Sequence, residues 1–156
     1  MANWCFNTVY FSAEKEQMEQ LEALFLTMQE KEILEERGQL PEFIKAETGY
    51  FFDISFEFEL LDYSTKWIPN IETVISIADY YQADFKHEYS EMAMGIFGEA
   101  TYENGELIDT HLDFGDFNRY QWDDENGVYV FEGQTYEDDY KILKILLQQK
   151  KCASPE

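Results

Sequence analysis

Residues 50–60 read Tyr-Phe-Phe-Asp-Ile-Ser-Phe-Glu-Phe-Glu-Leu, and their alternation decides the fold. Phe52, Ile54, Phe56, Phe58 and Leu60 fall on one side of an extended chain, with Asp53, Ser55, Glu57 and Glu59 on the other. Successive side chains of a strand point to opposite faces, so this period of two predicts a half-buried strand with an acidic, wetted face. Such one-sided burial suits an antiparallel sheet.

Beyond this stretch the period lengthens. Asn70 is placed to cap a helix whose inner stripe is Ile71, Val74, Ile75, Ala78 and Tyr81. After Gln82 strands are expected near 84–91, 93–102, 106–113, 117–123 and 128–134, with Asn104-Gly105 and Asn126-Gly127 between them. Asn-Gly signals a hairpin because both residues accept positive φ. Thr135, with Asp138 three residues on, forms a capping-box variant ahead of Ile142, Leu143, Leu146 and Leu147, a closing helix. Lys144, Lys150 and Lys151 complement that helix's dipole and call for no other role.

Upstream, residues 3–11 (NWCFNTVYF) are bulky on both alternating faces and predict a strand buried on both sides. Ser12 is placed to cap a helix carrying Met18, Leu21, Leu24, Phe25 and Met28 inward, with Glu14, Glu16, Glu19 and Glu22 on its remaining surface. Gly38 and Pro41 end that helix, and 30–48 carries no clear pattern.

Strand, helix, strand, helix and then several strands predict an α+β fold. The nearest small template is a ferredoxin-like antiparallel sheet with helices on one face, here extended by C-terminal β-hairpins and a closing helix. Residues 1–150 are expected to form a single acidic domain, and 151–156 a disordered tail.

Three stretches resemble the YubB-type ferredoxin-like domain family of plasmid- and phage-encoded proteins. They are Asn3, Trp4, Cys5 and Asn7 at the opening; Trp67 and Pro69 before the second helix; and Tyr89-Ser90-Glu91 running through Gly95 to Gly98. Where the family often has a second proline this chain has Asn70. The resemblance covers roughly residues 3–100. It implies a ferredoxin-like core and a mobile-element origin, and it carries over no catalytic residue.

Composition narrows the function classes. The chain of 156 residues has 33 acidic and 11 basic side chains, a formal charge of −22, where a small domain usually carries ~2–8 of either sign. Such a surplus argues against direct binding to nucleic acid or anionic lipid, which need cations to release counterions. With 45% hydrophobic and 17% aromatic residues, the chain is folded rather than a solvated acidic tail. No run approaches the ~18 apolar residues of a membrane span. MANWCFNTVYF lacks a basic leader, so a cytoplasmic protein in the host cell is expected. Cys5 and Cys152, far apart and without C-x-x-C spacing, are expected to be free thiols.

Catalytic candidates are few. His87 falls in a strand pattern, where a packed or surface imidazole is the expected role. Asp109, His111 and Asp113 alternate and would share a strand face at ~6–7 Å intervals. That set could hold a divalent metal only if the strand bends, so it is a weak candidate against a plain polar face. DDENG lacks the ligand positions of a calcium loop, and no phosphate-binding glycine motif occurs. No enzyme activity, no metal and no cofactor is expected.

The position of the charge is the sharper signal. Residues 99–139 hold 13 acidic groups and one basic group, Arg119, interleaved with aromatic rings. Carboxylates on hairpins with rings as anchors suit a basic partner. The candidate partner-binding residues are Glu99, Glu103, Glu106, Asp109, Asp113, Asp116, Tyr120, Trp122, Asp123, Asp124 and Glu125. Duplex DNA is itself a rod of regularly spaced negative charge. The expected function is therefore a non-enzymatic DNA-mimic inhibitor that binds a basic nucleic-acid-binding host protein, such as a defence complex. The alternatives are an adaptor or assembly subunit that leaves nucleic-acid binding intact, and a small metal-dependent enzyme.

Overall fold

The computed structural model describes residues 3–153. β1 (Trp4–Ser12), α1 (Lys15–Glu35), β2 (Phe52–Glu57), β3 (Leu60–Lys66), α2 (Ile71–Tyr81) and β4 (Asp84–Glu91) come first along the chain. These strands lie in the order β2-β3-β1-β4, all neighbours antiparallel, which is the split βαβ arrangement of a ferredoxin-like fold. β5 (Ile96–Glu103) and β6 (Glu106–His111) extend this sheet beyond β4 to six strands. A short helix α3 (Phe114–Phe117), a three-stranded sheet of β7 (Gln121–Asp123), β8 (Val128–Phe131) and β9 (Gln134–Tyr136), and α4 (Tyr140–Ala153) complete the chain.

α1 and α2 share one face of the large sheet. Leu21, Phe25 and Met28 of α1 and Val74, Ile77 and Ala78 of α2 pack on Val9 and Phe11 of β1, Leu61 and Tyr63 of β3 and Phe85 of β4. The closing helix takes the opposite face. Ile142, Leu143, Leu146 and Leu147 form a second core with Phe97, Leu112 and Phe131, joining α4 to both sheets. Burying four aliphatic side chains on a 14-residue helix contributes about 1.5–3 kcal/mol each.

The decisive stretch at 50–60 is a strand and a turn rather than one strand. Phe58 and Glu59 take φ of 53° and 64° between the paired Glu57 and Leu60. Two consecutive positive φ values match a type I′ hairpin, here made without asparagine or glycine. Phe58, expected inside, is therefore 96% exposed at the turn. A second irregularity shifts the alternation upstream: between Phe52 and Ser55 the β2–β3 register slips, with Asp53 at φ 53°. Phe51, Ile54 and Phe56 then face the core, while Phe52 turns outward against Trp4. The Glu32 carboxylate of α1 accepts the freed N–H groups of Asp53 (2.6 Å) and Ile54 (3.0 Å).

Other expectations need correction for local reasons. β1 is buried on its α1/α2 face only: α4 packs on Phe97 of β5 and on Leu112, and Trp4, Phe6 and Tyr10 face outward and exposed. Ser12 closes β1, and α1 starts at Lys15 with no capping side chain. Asn70 precedes α2 but spends its amide elsewhere, donating to the Gly49 carbonyl and accepting from the Tyr63 hydroxyl. The segment 117–123 is mostly the end of α3 and a turn, with only Gln121–Asp123 extended. The segment 128–134 breaks into β8 and β9 at Glu132-Gly133, both at positive φ. Thr135 lies in β9, and Asp138 alone caps α4, accepting from the Lys141 N–H. α4 also runs past residue 150: Lys151, Cys152 and Ala153 of the expected tail are helical, with Lys151 tied to Glu99. Residues 154–156 of that tail lie outside the described residues. By contrast, the Asn104-Gly105 hairpin, with both residues at positive φ, forms as its sequence predicts.

Candidate partner-binding surface

The motifs at Asn3–Asn7 and Trp67–Asn70 meet inside the fold through Cys5, Asn7 and Asn70, while Trp4, Phe6, Trp67 and Ile68 remain exposed. Asn7 donates to the Cys5 carbonyl and to Thr65 Oγ1 (3.0 Å), and Thr65 donates to the Ile68 carbonyl. The Trp67 N–H donates to the Asn3 carbonyl. Asn7 Oδ1 lies 2.8 Å from His87 Nε2, and the Tyr63 hydroxyl donates to Asn70 Oδ1 at 2.6 Å. Since Asn7 spends its amide hydrogens on Cys5 and Thr65, its Oδ1 faces the imidazole and Nε2 carries the ring proton. His87 is fully buried, its Nδ1 has no partner, and burial holds its pKa down at about 3. Burial likewise pushes the Cys5 thiol up to about 11. These residues position β1, β3 and α2 against one another and are closed to a ligand.

The Asp109, His111 and Asp113 set does not assemble. β6 ends at His111 and the chain turns away, so Asp113 leaves the strand face. Asp109 accepts a 2.5 Å hydrogen bond from the Tyr89 hydroxyl. Tyr89 reaches it by crossing Gly98, where any side chain would meet Tyr89 and the Thr110 carbonyl. Asp113 instead caps α3 in a reciprocal box with Asp116 and accepts from Lys150. The Asp116 N–H and then Lys150 hold the Asp113 carboxyl below its usual range. Among the described residues no three His, Cys, Asp or Glu side chains converge as metal ligands would.

The eleven acidic and aromatic candidates divide into two kinds. Glu99 is only 7% exposed and pairs with Lys151 at 2.5 Å, so it stabilises the seat of α4 rather than facing a partner. Asp116 pairs with Lys150 at 2.8 Å, and Asp123 folds the β7–β8 loop by accepting from the Glu125 and Asn126 amides. Tyr120 donates to Asp139 and packs its ring edge-on to Tyr129. Asp109 and Asp113 are held as described above. Glu103, Glu106, Asp124 and Glu125 stay exposed with no cation beside them among the described residues, and Trp122 stands half-exposed next to Asp124.

Three lysines assigned only to a helix dipole thus carry a second role. Lys144, Lys150 and Lys151 bind Glu88, Asp113/Asp116 and Glu99 across the sheet and α3. The seven-residue spacing of Lys144 and Lys151, which puts both on one side of the helix, was the available signal. Replacing Lys151 with alanine strands the Glu99 carboxylate and is expected to cost about 1–3 kcal/mol. Urea unfolding of Lys151→Ala checks this, and adding Glu99→Gln should recover most of the loss.

Geometry and sequence together define an α+β protein built on a ferredoxin-like sheet. The chain belongs to the family described as the ferredoxin-like domain in Api92-like proteins, whose model matches residues 46–132. The match therefore takes in both acidic hairpin regions and β2 to β6 of the large sheet, while β1 and α1 lie before it. No curated protein and no solved structure matches the chain. Among the described residues, no helix is long and apolar enough to cross a membrane.

Proposed function

We propose that this is a non-enzymatic acidic protein of a mobile element, phage or plasmid, that binds a basic nucleic-acid-binding protein of its host. In this proposal it inhibits a defence or DNA-processing system by occupying the groove that grips phosphates. The observation that carries the proposal is the exposed set Glu103, Glu106, Asp124 and Glu125 on two hairpins, with no cation beside them among the described residues. Glu103 and Glu106 sit on hydrogen-bonded strands, and Asp124 and Glu125 in a turn that the Asp123 carboxylate braces, so they need little ordering on binding, and unneutralised carboxylates steer a cationic groove from a distance. Trp122 beside Asp124 offers an aromatic anchor of the kind found at interface hot spots. The resemblance of the opening motif to plasmid- and phage-encoded proteins supports the mobile-element origin.

Affinity capture from a host lysate over a salt series tests the proposal. Recovery of a nucleic-acid-binding protein that both salt and added duplex DNA release is the expected result. A captured partner that keeps its full nucleic-acid affinity while bound would instead make the chain an adaptor.

A further inference from the structure

The two edges of the six-stranded sheet are built differently. At the β2 edge, the register slip at Phe52–Ser55 breaks the strand, and Glu32 covers the Asp53 and Ile54 N–H groups. Gln39 pairs with Phe51 just before it, closing that edge further. Bulges and covering groups of this kind keep an edge from pairing with another chain.

The β6 edge has neither device. Its six residues pair in unbroken register with β5 and with no strand on the other side. The two-residue Asn104-Gly105 turn makes Glu103 and Glu106 a hydrogen-bonded pair, and such pairs alternate along an antiparallel ladder. Ile108 and Thr110 therefore direct their backbone groups to β5. Leu107, Asp109 and His111 direct theirs outward, with no ladder partner among the described residues. Beside those groups the side chains are open: Leu107 is 43% and Ile108 57% exposed, on opposite faces of the sheet. Each face also carries one carboxylate, Asp109 with Leu107 and Glu106 with Ile108.

We infer that β6 is a docking edge for an extended basic segment of the partner, which adds to the sheet as a seventh strand. This inference rests on the basic-partner proposal above and deepens it by naming the contact. Strand addition draws affinity from main-chain hydrogen bonds and specificity from side chains on both faces. Here each face presents one apolar and one acidic neighbour, which fits a segment mixing lysine or arginine with β-branched residues. The same carboxylates disfavour a second copy of the chain, since two β6 edges would bring like charges together in a protein of charge −22.

A ten-residue peptide of alternating lysine and valine is the probe, titrated into the full chain. Its control is a peptide of equal charge with proline at every third position, which cannot pair as a strand. Binding of the first peptide alone is expected, with hydrogen-exchange protection of the Leu107, Asp109 and His111 amides. Leu107→Pro removes an outward N–H that no sheet bond uses, and it should weaken binding by about tenfold or more. Urea unfolding of that variant must match the parent chain, and Asp109→Asn provides a second variant that keeps the backbone donor while removing one charge. Equal binding of both peptides, or Leu107→Pro without effect, overturns strand addition while leaving the basic-partner proposal standing. No binding of either peptide overturns both. Concentration-dependent self-association that Leu107→Pro abolishes would show the occupant to be a second copy and overturn the inference.

Discussion

The His87→Gln variant is expected to hold its stability into acid while the parent chain loses it. In the folded chain the imidazole is enclosed and hydrogen-bonded through Nε2 to Asn7, with Nδ1 unpartnered among Tyr63, Phe85 and Tyr89. Protonating Nδ1 would place a charge there without a counter-ion, so burial depresses the folded pKa to about 3. The unfolded chain titrates near ~6.5. A depressed histidine pKa means that the unfolded state binds the proton first, so the contribution is intact above pH ~6.5 and shrinks as pH falls towards 3. At about 1.4 kcal/mol per pH unit, the parent should lose about 2 kcal/mol by pH 5 and about 3 kcal/mol by pH 4 from this group. Glutamine keeps an N–H donor for Asn7 and does not titrate. Acid also relieves repulsion among the carboxylates as the chain nears its pI of 4.2, and that gain is common to both proteins. The measurement is therefore the difference between parent and variant in urea unfolding from pH 7.5 to 4. A constant difference across that range would mean that water reaches the imidazole and that the network is open.

The same network shows which parts of the fold were legible and which were not. Helix stripes such as Leu21, Phe25 and Met28, or Ile142, Leu143, Leu146 and Leu147, follow from spacing because one packed face dictates them. The Asn104-Gly105 hairpin follows from backbone chemistry alone. Phe58 and Glu59 hide their turn, because neither residue type advertises positive φ and the hydrophobic period runs straight through them. Likewise Asn7, Thr65, Asn70 and His87 gain meaning only when strands distant in sequence bring them together. The candidate surface was legible as a concentration of charge. Its division into carboxylates that hold the fold and carboxylates that remain free depends on which acids the three lysines of α4 meet; their spacing shows a shared helix side but not the distant partners.

That division makes charge reversal a sharper experiment than composition allows. Reversing Glu99, Asp113 or Asp116 would confront Lys151 or Lys150 with another lysine and loosen α4, so lost binding in those variants would say nothing about the surface. Reversing Asp109 would cost Tyr89 its acceptor. The informative variant is Glu103→Lys, Glu106→Lys, Asp124→Lys and Glu125→Lys together, which touches no ion pair, gives up only the exposed Trp122–Asp124 hydrogen bond, and moves the formal charge from −22 to −14. Its urea midpoint should match or exceed that of the parent, because like charges have been thinned. Its association rate with the captured basic partner should fall by about 10–100-fold at low salt, while dissociation changes little. The two proteins should converge as ionic strength approaches ~1 M, where the Debye length shrinks to ~3 Å. Trp122→Ala should show the opposite signature, faster dissociation with the association rate kept, since an anchor acts after encounter. Should the fourfold reversal leave association untouched, the free carboxylates serve solubility and the partner docks elsewhere on the chain.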